Sequence, residues 1–99
     1  MLVEPFGPLV PIIAFDSLEE VILKANSLPY GLAAYVFTRL EKTTEMLFES
    51  LKSGWIAVNS AAHVPSDLPF GVFKDSGYGY ECGIEGVEAY LHKKLVSLA

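Results

Sequence analysis

Cysteines, basic residues and long apolar runs are all scarce in this sequence, and each scarcity closes off a class of function. The 99 residues include one cysteine, Cys82, so neither an internal disulfide nor a thiolate metal cluster can form. Seven Lys and Arg stand against 12 Asp and Glu, a formal net charge of −5. Binding to nucleic acid needs clustered cations to neutralise phosphates, and the one basic pair, Lys93 and Lys94, neighbours the acidic Glu85 and Glu88. No nucleic-acid partner is expected. The longest apolar runs, such as residues 32–37, fall far short of the roughly 20 residues that cross a bilayer, so no membrane partner is expected either. The first residues show neither a basic start nor a long apolar stretch, so no signal peptide is visible and the cytoplasm is the default compartment.

What is abundant is apolar surface. Hydrophobic residues make up 52% and charged residues 19% of the chain, and the mean hydropathy is +0.37. A disordered tail shows the opposite balance. A chain this short hides only about 60–65% of its unfolded surface on folding. This much apolar content therefore either overfills the core or leaves a patch for a partner, which suggests part of something larger.

The pattern along the chain is β-α-β-α-β. Residues 9–15 form a short apolar run that predicts a buried strand, with Pro11 at its start or on an edge because it has no N–H to donate. Ser17, with Glu20 three positions on, is a capping box. Leu18, Val21, Ile22 and Ala25 then repeat at helical spacing, and Asn26 and Pro29 end that helix. Residues 32–38 are almost continuously apolar, as in a strand covered on both faces. Thr38 with Glu41 predicts a cap for a second helix, running to about residue 52 with Leu40, Thr44, Leu47, Phe48 and Leu51 on one face and Gly54 as its stop. Residues 55–59 predict a third strand. Strands alternating with helices at these lengths imply parallel strands joined by right-handed crossovers. Between residues 60 and 79 the pattern lapses into a long loop, which in a compact domain is usually functional. A short helix over residues 84–92 and a final apolar strand over 95–98, with no visible partner, complete the expected fold.

Three segments together resemble the C-terminal end of the NAD(P)-dependent aldehyde dehydrogenase superfamily. They are Glu4-Pro5-Phe6-Gly7-Pro8, then Asn26 with Tyr30-Gly31-Leu32-Ala33-Ala34, then Pro69-Phe70-Gly71-Val72-Phe73-Lys74-Asp75-Ser76-Gly77-Tyr78-Gly79. Their order and spacing follow the family over essentially the whole chain. The stretch after Lys74 looks most like the semialdehyde-oxidising branches, such as succinate-semialdehyde dehydrogenase. The resemblance implies a fold: the α/β, parallel-sheet part of an aldehyde dehydrogenase catalytic domain, spanning residues 1–99, with a C-terminal helix and a strand that serves oligomerisation. It implies an activity as well, the oxidation of an aldehyde or semialdehyde to the carboxylic acid with NAD or NADP.

The resemblance also implies a deficit. The family's nucleophilic cysteine, its glutamate general base and its cofactor domain precede the first of these motifs. Covalent aldehyde oxidation needs a thiolate, a hydride acceptor and a base that activates water, so this chain alone is expected to be inactive and to hold no bound cofactor. No catalytic residue is assigned.

Four residues match binding positions of the family. Glu4 matches the glutamate that accepts the nicotinamide ribose hydroxyls, against a solvated acid near a chain end. Phe6 matches an aromatic lining the nicotinamide site, against packing beside Pro5 and Pro8. Phe70 and Val64 match the apolar substrate tunnel, whose wall would exclude water, against plain core filling. His63 shares that loop and could donate to an acidic substrate, although an exposed loop histidine is the default. Cys82 lies where the family carries a small, non-catalytic residue, and an incidental thiol is the favoured reading. Val72 replaces a glycine of the family pattern. If that glycine serves a positive φ, valine would be strained there and the tunnel position of Phe70 would be in doubt. Gly71, Gly77 and Gly79 do not follow a phosphate-loop register.

Two readings follow. The first is a non-catalytic segment of an aldehyde dehydrogenase that associates with copies of itself or with the missing N-terminal portion. The second is a small interaction module that docks on a homologous full-length enzyme or completes a split one.

Overall fold

The computed structural model describes residues 6–61 and 64–99; Glu4 and His63 lie outside them. The first helix, α1 (Leu18–Asn26), starts as expected: Ser17 is its N-cap with extended backbone, and the Ser17 Oγ accepts from the Glu20 N–H at 3.2 Å. The reciprocal arm lands one residue earlier than in a standard capping box, with a Glu20 carboxylate oxygen accepting from the Asp16 N–H at 2.8 Å. Lys24 pairs with Glu20 and donates to the Ala14 carbonyl. The Glu20 carboxyl is held below its usual range, chiefly by the Asp16 N–H and then by Lys24.

The centre of the fold is a β-α-β unit: β2 (Ala33–Val36), α2 (Glu41–Ser50) and β3 (Trp55–Val58). The two strands are parallel, pairing Ala33 with Trp55 through Val36 with Val58, as expected for strands joined through α2. Among the described residues, the buried apolar ones are Val36, Leu47 and Ala57, one from each element. The entry to α2 differs from expectation. Leu40, without a side-chain cap, is the N-cap, and Thr38 is diverted: its hydroxyl accepts from the Leu40 N–H at 3.1 Å. The helix ends at Ser50, before Gly54 is reached, because the Asn26 side chain takes the Ser50 carbonyl and the Lys52 N–H, each at 2.8 Å.

Four two-residue strands surround this unit. β1 (Tyr30–Gly31) pairs antiparallel with β5 (Phe73–Lys74), and β4 (Phe70–Gly71) with β6 (Tyr80–Glu81). β4 and β5 lie in the segment expected to be pure loop; a two-residue strand is too short to show an alternation period. α3 (Gly83–Glu88) is shorter than expected, with two further turn bonds carrying the chain to Leu91.

Two expected strands do not form. Residues 9–15 and 95–98 carry no ladder, and Ile12 and Leu95 are 93% and 96% exposed. A strand is defined by its partner, and no described segment offers a ladder to either run. The chain is correspondingly open. Its accessible surface is 8597 Å², where a compact monomer of this mass exposes roughly 5,500 Å². Its radius of gyration is 17.6 Å, against about 13 Å for a compact chain of this length. Among the described residues, no helix is long and apolar enough to cross a membrane.

Candidate functional site

The second and third motifs of the sequence meet in space. Lys74, at φ 57°, sends its ammonium back to the C-terminal end of α1 and donates to the carbonyls of Asn26 at 2.9 Å and Leu28 at 2.8 Å. The Asn26 carbonyl has no partner in a helix that has just ended, Leu28 lies two residues beyond it, and a cation at a helix C-terminus also complements the dipole. The Asp75 N–H donates to the Pro29 carbonyl at 2.8 Å, and the Ser76 Oγ accepts from the Gly31 N–H at 2.9 Å. With the pairing of Tyr30 to Lys74 and Gly31 to Phe73, residues 73–76 are stitched to residues 26–31. Asn26 in turn bridges to the end of α2. The motif residues Asn26, Lys74 and Ser76 therefore act as clamps on backbone.

Close approach explains two of the glycines. A Cβ on Gly31 would meet the Lys52 carbonyl and lie 2.9 Å from the Phe73 Cβ. A Cβ on Gly54 would run into the Gly71 carbonyl. Three backbone segments thus stack at contact distance, and Gly54 donates to the Gly31 carbonyl at 3.0 Å, extending the β2–β3 ladder.

Phe70 is half-buried on β4. Its ring lies edge-on to Trp55 with centroids 6.1 Å apart, and Trp55 lies edge-on to Tyr35 at 6.0 Å. Phe70 also lines an open cavity of about 260 Å³ together with Leu32, Val72, Ser76, Tyr78 and Glu81. Val64 is half-buried in irregular chain, and Phe6 is 92% exposed. The expected strain at Val72 is absent: among the described residues, those with positive φ other than glycine are Asn59, Lys74 and Cys82. The left-handed turn falls two residues later, on Lys74, and the backbone objection to Phe70 falls with it.

Cys82 is half-buried and forms the N-cap of α3 at φ 59°, ψ 177°, a region that suits glycine. Sequence reasoning missed Asn59. Its Oδ1 accepts from the Thr38 N–H at 2.9 Å and its Nδ2 donates to the Thr38 carbonyl at 2.8 Å. The available signal was an asparagine, which tolerates φ > 0, at the end of an apolar strand. Among the described residues no group of three His, Cys, Asp or Glu side chains could hold a metal ion. The arrangement offers apolar and aromatic walls on a clamped backbone.

Of the two residues matched to the nicotinamide end of a dinucleotide, Glu4 lies outside the described residues and Phe6 presents an exposed aromatic ring. A pyrophosphate prefers a glycine turn that opens a helix N-terminus. Here the Gly77 and Gly79 stretch leads into β6, and the N-terminus of α1 is closed by Ser17 and the acidic Glu20.

The pattern of the aldehyde dehydrogenase family matches residues 1–96. The 4-(hydroxymethyl)benzenesulfonate dehydrogenase TsaD1 of Comamonas testosteroni is 47% identical over 93 residues, which are 94% of this chain and 20% of that protein. The NADP(+) succinate-semialdehyde dehydrogenase of Saccharomyces cerevisiae is 40% identical over 95 residues, 96% of this chain and 19% of that protein. Among solved structures, a double mutant of the betaine aldehyde dehydrogenase of Staphylococcus aureus in complex with NAD+ superposes with a TM-score of 0.88 at 36% identity, covering 94% of this chain and 19% of that one. The chain spans about one-fifth of the length of the curated relatives it matches.

Proposed function

The chain belongs to the aldehyde dehydrogenase family, and from that premise we propose that it serves the NAD(P)-dependent oxidation of an aldehyde or semialdehyde to its carboxylic acid as one segment of a catalytic unit. It supplies binding walls, and the reacting groups come from elsewhere. The observation that carries this reading is the match over residues 1–96 to proteins about five times as long. Bound NAD(P) supplies the hydride acceptor. In this proposal Glu4 accepts the ribose hydroxyls beside the nicotinamide, and the exposed Phe6 covers the ring. Val64 and Phe70 wall the substrate side and keep water from the aldehyde carbon. The compounds in the names of the Comamonas and yeast relatives both carry an acidic group, which favours a substrate of that kind. A cytoplasmic location belongs to the same proposal.

The test has two arms. The chain alone, in excess over a panel of semialdehydes, is expected to form no NAD(P)H by ultraviolet absorbance and to bind neither dinucleotide more tightly than about millimolar. Turnover lost on Cys82→Ala would make Cys82 a nucleophile and overturn the reading. In the second arm the chain replaces the matching segment of the Comamonas enzyme. The hybrid is expected to oxidise aldehydes, with Glu4→Ala raising the dinucleotide KM and Phe70→Ala raising the aldehyde KM. A folded hybrid without activity would refute the proposal.

A further inference from the structure

Val72 replaces the glycine of the family pattern, and its backbone is not left-handed. The departure is therefore one of side-chain bulk on an ordinary backbone. Val72 links β4 to β5, and both of its neighbours are held in ladders: Gly71 pairs with Tyr80, and Phe73 with Gly31. Gly54 also closes on it, since a Cβ there would lie 2.8 Å from the Val72 Cα. The backbone is thus pinned beside the cavity that Val72 shares with Phe70. The half-buried side chain has little freedom of its own. A β-branched residue is stiff at χ1, and a Val72 methyl packs 3.5 Å from where a Cβ on Gly77 would stand. The cavity holds about 260 Å³, less than the usual ligand pocket of about 300–1,000 Å³. Leu32, Phe70 and Val72 give it apolar walls, and Glu81 is the charged side chain in its lining. That carboxylate disfavours a second anion beside it, so the part of a ligand that enters is a slim, uncharged stretch of carbon chain.

Resting on the function proposed above, we propose that Val72 is a specificity-determining residue, whose isopropyl group narrows the Phe70 cavity so that it takes the unbranched carbon chain of an aliphatic semialdehyde and turns away an aromatic aldehyde. The selection works by exclusion: Val72 adds no contact that an aliphatic chain needs, and it removes room that a flat ring needs.

The test compares kcat/KM for succinate semialdehyde and 4-formylbenzoate in the hybrid with the Comamonas enzyme. The aromatic-to-aliphatic ratio is expected to rise about ten-fold or more in Val72→Gly, in line with what a small change of volume in an apolar pocket supplies. Val72→Ala should fall between, and the change should lie in the KM for the aromatic aldehyde. A general loss of structure would slow both substrates alike. An unchanged ratio in both variants of an active hybrid would overturn the inference and leave the proposed function standing. A second measurement needs no turnover. This chain is titrated with butyramide and benzamide, unreactive amides with the shapes of the two aldehyde classes, and the Phe70 ring is followed by NMR. Butyramide is expected to shift the ring signals of the original chain and of Val72→Gly, and benzamide those of Val72→Gly only. Benzamide acting alike on both, or butyramide on neither, would overturn the inference. The selective pattern together with a hybrid that oxidises neither aldehyde would support Val72 as the filter while counting against the proposed function.

Discussion

Asn59 grips Thr38 by both of its backbone polar groups, donating to the carbonyl at 2.8 Å and accepting from the N–H at 2.9 Å. The contact continues the β2–β3 ladder by one step, with a side chain doing what a strand residue would do. It also joins positions 21 residues apart, and it holds the Thr38 backbone at the approach to α2. Asn59 reaches this position at φ 51°, in the left-handed region that asparagine tolerates better than most residues.

Asn59→Ala is therefore expected to remove two hydrogen bonds worth about 1 kcal/mol each and to add about 1 kcal/mol of backbone strain. The direct readout is amide exchange at Thr38, which should quicken by roughly ten-fold or more. Asn59→Gly relieves the strain without restoring the bonds and should fall between the two. An unchanged Thr38 amide would show that the clamp is absent in solution.

The Gly31 N–H is held by a side chain 45 residues away, the Ser76 hydroxyl. Ser76→Ala should release that amide at a cost of about 1 kcal/mol, seen as faster exchange at Gly31 with Thr38 unaffected. Lys74→Met leaves the Asn26 and Leu28 carbonyls without their cation and should loosen the end of α1. Slow Gly31 exchange in the Ser76 variant would mean that the β1–β5 pairing suffices without it.

At Cys82, φ 59° and ψ 177° define a conformation that glycine adopts freely and a β-carbon resists. Cys82→Gly is expected to stabilise the α3 turn by about 1 kcal/mol, net of the entropy glycine loses on folding. Cys82→Val should act in the opposite direction. The Gly86 N–H, which donates to the Cys82 carbonyl, reports both changes by its exchange rate. Greater protection in the valine variant would contradict the strain.

The Glu20 carboxyl titrates below its ordinary value of 4.5, first because the Asp16 N–H donates to it and then because Lys24 lies beside it. A lowered carboxylate pKa favours the fold with the group charged, so its contribution is fully present above the ordinary value and is lost as pH falls through the lowered one. Carbon NMR of the Glu20 carboxyl should give a midpoint below that of an unfolded glutamate. Lys24→Ala should raise it only part of the way, since the Asp16 N–H still donates to the carboxylate. A midpoint at the unfolded value would show that the Asp16 and Lys24 contacts do not persist in solution.

The sequence alone determined what depends on near neighbours. Ser17 and Glu20 marked the start of α1 because a cap acts over three residues. The apolar run before Thr38 and the one after Gly54, separated by a helical stretch, determined the parallel β2–α2–β3 unit because period and length are local properties. The three motifs placed the chain in its family. Other features required the tertiary structure. Lys74 and Asn26 lie 48 residues apart, and no local pattern says that one will close the carbonyls at the helix end of the other. Val72 departs from the family pattern, yet the left-handed backbone is at Lys74, where the ammonium closes the end of α1. The apolar runs 9–15 and 95–98 have the composition of strands, but a strand is completed by hydrogen bonds to a partner. Composition supplies the side chains of a ladder, and only a neighbouring backbone supplies its other half.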